Sequence, residues 1–129
     1  MRRERSPSSA VGVLRRLLDR LNESDEMRLA EETREWAGSI AGSVRIEDAP
    51  LRQHVRIAGV IRRLTVLPMQ GKEALQALIS DGTGEVTVVF MGRRGIGGLA
   101  LGAHVVVEGV LGEHRGEVRM VNPRLEFAG

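Results

Sequence analysis

The sequence predicts a mainly β protein, a small barrel of five strands preceded by an N-terminal helical extension. Three observations predict it. The apolar pattern changes from helical spacing to a period of two at about Leu51. Asp81-Gly82-Thr83-Gly84 sits between two apolar runs and carries the chemistry of a tight turn, since Asp bonds its own backbone and Gly takes positive φ without strain. Beyond Leu51, β-branched runs are separated by glycine-rich punctuation, which suits short strands joined by turns.

Composition bounds the reading. At 129 residues the chain fits one domain with an appendage, long enough for a hydrophobic core. Cysteine is absent, so disulfides and thiolate metal sites are excluded, which suits a reducing cytoplasm. No window approaches 18 uncharged apolar residues, so neither a spanning segment nor a membrane partner is expected. Arg15, Arg16 and Asp19 interrupt the apolar part of the N-terminus and argue against a secretory signal. Residues 1–50 carry nine Arg against ten acids. Residues 51–129 carry nine Arg and one Lys against seven acids, so the basic surplus lies in the strand-rich part. Guanidinium forks match phosphate geometry, and codon bias accounts equally well for an arginine-dominated chain.

Residues 1–9, charged and then Ser-Pro-Ser-Ser, are expected to be a disordered tail. Residues 10–50 form the helical extension and connector, and residues 51–129 the barrel. In 10–22, Val13, Leu14, Leu17, Leu18 and Leu21 recur at helical spacing opposite Arg15, Arg16, Asp19 and Arg20, with Ser9 as N-cap. Asn22 to Glu26 reads as a break. A second helix follows from about Asp25 to Ala37 on a thinner apolar stripe that includes Trp36. The leucine stripe of 10–22 is expected to pack on the barrel or on a protein partner; a basic helix of this kind also suits a membrane surface or nucleic acid. Trp36 reads as a packing anchor.

The first strand spans Arg52–Pro68. Val55, Ile57, Gly59 and Ile61 share one face, and Gly59 marks a bulge or sharp bend. Ala74–Ser80 and Glu85–Met91 form the hairpin around the D-G-T-G turn. Gly92–Gly102 is a glycine-rich connector with Ile96, Leu99 and Leu101 as apolar plugs and a short helical turn. Ala103–Leu111 is the fourth strand, Gly112–Gly116 a hairpin loop and Glu117–Val121 the fifth strand, followed by an extended Arg124–Phe127.

The segments VRIAGVIRRLTV, ALISDGTGEVTVVFMG and LGAHVVVEGVLGEHRGEVRMVNPRLEF carry a family resemblance. With the L-x-x-G-x-x-V-x-V-x-G entry to the fourth strand and the M-V-N-P that closes the fifth, they resemble OB-fold nucleic-acid-binding domains of the tRNA-anticodon type. The chain is similar to the wedge domain of RecG-type helicases and to small stand-alone OB proteins of actinobacteria. The resemblance covers Val55 to about Phe127. It implies a five-stranded Greek-key barrel and a partner that is single-stranded or structured DNA or RNA, read with low sequence specificity. It also implies a surface: the face of strands 2 and 3, the loop between strands 1 and 2, and the loop between strands 4 and 5. Arg62, Arg63 and Lys72 would lie near the first loop, Arg93 and Arg94 after strand 3, and Arg115 and Arg119 at the last hairpin, all neutralising phosphates. His54 and Arg56 are second choices. Phe90 is open to two readings, base stacking or core packing. The same arginines also read as solvated residues that keep strand edges soluble.

Other chemistries lack their residues. GRRGIGG has neither the P-loop nor the dinucleotide-binding glycine spacing. His54, His104 and His114 lie on separate elements without zinc spacing. No nucleophile motif is present, so neither catalysis nor a cofactor is expected. The competing reading is a protein-interaction adaptor that docks through helix 10–22 or the barrel.

Overall fold

The structure, a computed structural model, describes the backbone of residues 7–128 and the side chains of residues 11–128. One long helix, α1 (Pro7–Gly38), leads through a short 3-10 turn (Ile46–Asp48) into six strands. These are β1 (His54–Met69), β2 (Lys72–Ser80), β3 (Glu85–Met91), β4 (His104–His114), β5 (Glu117–Val121) and β6 (Arg124–Phe127). The sheet runs β1-β2-β3-β5-β4-β6, and β1 also pairs with β4, which closes five strands into a ring. The β3–β5 pairing is parallel and the others antiparallel. Closure gives each of the five ring strands a neighbour on both sides and leaves β6, which pairs only with β4, as the edge.

Two helices and a break were expected where one helix stands. Asn22 to Glu26 holds no Gly or Pro, and Asn, Ser and Asp each weaken a helix by only about 0.7 kcal/mol relative to Ala. That is too little to end one. Pro7 is the first described residue of the helix; Ser9 is therefore inside the helix and does not cap it. Residues 7–9 of the expected tail are helical, and residues 1–6 lie outside the described residues. At the other end the Ser39 hydroxyl donates to the Trp36 carbonyl (2.6 Å), and the Ser43 hydroxyl contacts those of Ala37 and Ile40 (2.9 and 2.8 Å). These bonds satisfy carbonyls that a helix end leaves open.

The core follows the period of two. Val55, Ile57, Ile61, Leu75, Ala77, Ile79, Val86, Val88, Val105, Val107, Leu111 and Met120 fill the barrel. Leu99 plugs it, and Ile96 packs beside it. Leu101, expected as a third plug, is 67% exposed, and the glycine-rich connector holds turns without a helix. The bulge in β1 falls three residues beyond Gly59: the β1–β2 register skips Arg62, which makes Arg62 the bulged residue. Both strand hairpins outside the D-G-T-G turn close with two residues at positive φ, Gln70-Gly71 and Arg115-Gly116, as the right-handed strand twist favours. The last hairpin loop is accordingly two residues long, shorter than the five expected, because β4 continues to His114.

Among the described residues, α1 meets the barrel near its C-terminal end. Ala37 packs on Ala58 and Val106, outward-facing residues of β1 and β4, with Trp36, Ile40 and Ala128 around them. The Trp36 ring meets the His104 ring edge-on, centroids 4.5 Å apart. The D-G-T-G turn docks on the same helix. A Cβ at Gly82, whose φ is +85°, would lie 2.3 Å from the Ala30 carbonyl oxygen.

Asp81 ties this junction together. It is almost fully buried. Its Oδ1 accepts from the Thr83 amide (2.8 Å), the Thr83 hydroxyl (2.7 Å) and the Gly84 amide (3.1 Å), while Oδ2 accepts from the Ile46 amide (2.8 Å). One carboxylate thus fixes both the hairpin turn and the connector from α1.

Candidate nucleic-acid interface

Residues paired across a sheet share a face. The registers therefore place Arg63, Leu78, Thr87 and Arg119 in one outward row across β1, β2, β3 and β5. Thr65, Gln76, Val89 and Val121 form the next. With strands about 4.8 Å apart, Arg63 and Arg119 stand roughly 14 Å from each other. A small groove lies between, lined by Arg63, Thr65, Gln76, Leu78, Thr87 and Glu117. Arg115 tops the adjoining β4–β5 turn. The Arg119 side chain is mostly buried; its Nη2 pairs with Glu117 at 3.2 Å, and its buried Nε–H has no partner among the described residues.

The other expected cations separate. Lys72 follows the Gln70-Gly71 turn, six residues along β2 from Leu78 and so about 20 Å away. The Gly92 amide donates to the Glu73 carbonyl (2.7 Å), which brings Arg93 and Arg94 to that same end, and Arg94 pairs with Glu73 at 3.3 Å. Arg62 and Arg63 were expected together near the first loop. They lie mid-strand, far from the turn, and the bulge turns them apart. Arg63 joins the outward row, and Arg62 lines an open cleft of about 520 Å³ between α1 and the barrel, with Leu29, Trp36, Leu101 and His104. The seven cations thus form two groups and an outlier, not one stripe.

Phe90 is corrected from a possible stacking platform to a core residue. It pairs with Leu75, faces the barrel interior and is 7% exposed. The second choices serve the scaffold. Half-buried Arg56 donates to Glu108 Oε1 (2.5 Å), to Glu126 (3.4 Å) and through Nε to the Ala41 carbonyl (3.1 Å), and His54 lies 3.4 Å from Glu108. Hydrogen bonds from Arg56 and then His54 hold the Glu108 carboxyl below its ordinary value of 4.5, and hydrogen bonds to Glu108 and Glu126 hold the Arg56 guanidinium still more firmly protonated than usual. A carboxylate whose pKa falls on folding adds stability above its unfolded value and loses it as the pH drops through the folded one. Glu108→Gln should therefore lower the melting temperature at neutral pH and cost progressively less below about pH 4.5. A difference from the parent that does not shrink on acidification would count against the network.

Sequence reasoning missed the floor of the groove. Gln76, Leu78 and Thr87 are ordinary strand residues, and only the register between β2 and β3 reveals that they adjoin. Among the described residues there is no cluster of three or more metal-ligating side chains, and no helix is long and apolar enough to cross a membrane.

A protein-family model described as an OB-fold nucleic acid binding domain matches residues 55–128. The chain belongs to this family. Its OB domain is also similar in fold to solved structures. In the structure of RecG bound to a three-way DNA junction, the similarity has a TM-score of 0.53 at 18% identity, over 64% of this chain and 12% of the RecG chain. The match thus spans a small part of RecG. The solution structure of the OB domain of Ta0387 from Thermoplasma acidophilum gives a TM-score of 0.52 at 20% identity, over 67% of this chain and 86% of that one. No curated protein matches the chain. The expected resemblance to RecG-type OB domains therefore holds at the level of fold, and the Greek-key ring with its preceding helix is the architecture the sequence implied.

Proposed function

We propose that the outer face of β1, β2, β3 and β5 binds single-stranded or structured nucleic acid, with low sequence specificity, through arginine–phosphate contacts. One observation carries this reading: Arg63 and Arg119 bracket a single row over a floor of Leu78 and Thr87, with Arg115 at the adjacent turn. Membership in a nucleic-acid-binding family supports it. A phosphate that draws the Arg119 guanidinium away from Glu117 also supplies its Nε–H with an acceptor. Lys72, Arg93 and Arg94 offer a second hold about 20 Å along the hairpin.

The reading has a physical signature. Base stacking contributes about 1–3 kcal/mol per base in aromatic-lined OB domains. With Phe90 in the core, this face has no aromatic platform, so affinity rests on charge and is steeply salt-dependent. Fluorescence anisotropy of a labelled single strand of about 15 nucleotides, titrated at several salt concentrations, tests it. Three to four phosphate contacts give a log–log salt slope of about −2 to −3. Arg63→Glu should weaken binding about tenfold (~1.4 kcal/mol), while Arg62→Glu, on the far side of the bulge, should leave it nearly unchanged. Absence of saturable binding at low salt overturns the reading. A second reading, an interaction adaptor, is favoured by one observation: Leu14, Leu17, Leu18 and Leu21 of α1 are about half exposed or more.

A further inference from the structure

α1 outruns its own barrel. Its contacts with the rest of the chain involve Ala30 to Ala37, so residues 7–28 project for about 33 Å at 1.5 Å per residue. Val11, Leu14, Leu17, Leu18 and Leu21 form a stripe on this arm and are 49–61% exposed. At 100° per residue, the centre of the stripe is turned roughly 110° from the side that Ala30, Thr33, Trp36 and Ala37 present to the barrel. The stripe also sits on the part of the helix that runs past the barrel, and the barrel of the same chain leaves it uncovered. A helix that packs on nothing is marginal in water, because most helical stability in proteins comes from burying the apolar face.

We propose that a second copy of this chain covers the stripe, with the two α1 arms lying antiparallel. The positions of the leucines select this occupant. The spacing 14, 17, 18, 21 reads the same in either direction about the midpoint between Leu17 and Leu18. A two-fold axis at that midpoint sets Leu14 against Leu21 of the second copy and Leu17 against Leu18 of the second copy. This is the self-complementary geometry of an isologous contact. The size is sufficient. Two helices about 10 Å across, in contact along about 33 Å, bury on the order of 1,200 Å² in total, the lower end of specific interfaces. The same axis carries the two barrels to opposite ends, with their docking turns about 45 Å apart.

The test needs no nucleic acid, so its outcome is independent of the proposed binding face. Sedimentation velocity of the full chain between about 1 and 100 μM should show reversible conversion from 14.1 kDa to twice that mass. Leu17→Glu combined with Leu18→Glu should abolish the conversion and reduce far-UV helicity while the barrel still unfolds cooperatively. The chain has no native cysteine, so orientation can be read by cross-linking. A mixture of Leu14→Cys and Leu21→Cys chains should form mixed disulfides in preference to like pairs. A monomer at every concentration overturns the proposal. So does a preference for like disulfides, which reports parallel arms, or a monomer that instead binds anionic phosphatidylserine vesicles through α1.

Discussion

Replacing Gly59 with valine should leave no cooperatively folded barrel, and Gly59→Ala should cost about 2–3 kcal/mol. Gly59 lies where β1 changes partners. Residues 54–60 pair with β4 and residues from 60 onward with β2, so Val60 alone is held by both. At this corner the backbones close in. A Cβ on residue 59 would stand 2.5 Å from Ile79 Cγ2 and 2.8 Å from the Ser80 carbonyl oxygen. Ile79 is fully buried and has nowhere to move, and the oxygen belongs to a strand backbone. Overpacking here therefore separates β1 from β2 or opens the ring. Urea denaturation of the alanine variant measures the effect; a midpoint unchanged from the parent would show that the corner yields freely.

Asp81→Ala should destabilise the chain by about 3–4 kcal/mol, since four donors around a buried carboxylate lose their acceptor together. The Ile46 amide is the most exposed to this loss, because its partner lies 35 residues away and no local turn can replace it. Asp81→Asn should fall between the two, at about 2 kcal/mol. Its Oδ1 still accepts from Thr83 and Gly84, while its NH₂ faces the Ile46 N–H as donor against donor. The readout is the thermal unfolding midpoint with and without the substitution. If alanine and asparagine prove equally mild, the carboxylate is a local turn residue and not the tie between connector and hairpin.

The barrel was legible because period-two burial and turn chemistry are local signals. β3 and β5 have the predicted ends, and the D-G-T-G turn stands where its Asp and glycines placed it. The helix was misread because Asn22 to Glu26 resembles a break by residue type while its energetic penalty is small. The candidate site was legible only as a list of cations. Which of them share a face depends on register and on one bulge, and the bulge alone sends Arg62 and Arg63 to different sides of β1. Asp81 looked like a turn residue; that it also caps the Ile46 amide is a contact between distant segments, which no local pattern encodes.

The edge-on contact of Trp36 with His104 has an experimental consequence. Trp36 is the sole tryptophan, so every photon of indole emission originates at the seam between α1 and the barrel. Emission during denaturation therefore follows undocking of the helix, whereas strand circular dichroism follows the ring. Coincident curves mean that helix and barrel unfold as one cooperative unit. If emission changes first, the seam is the weakest joint of the molecule, and the helix can be released from a barrel that remains closed.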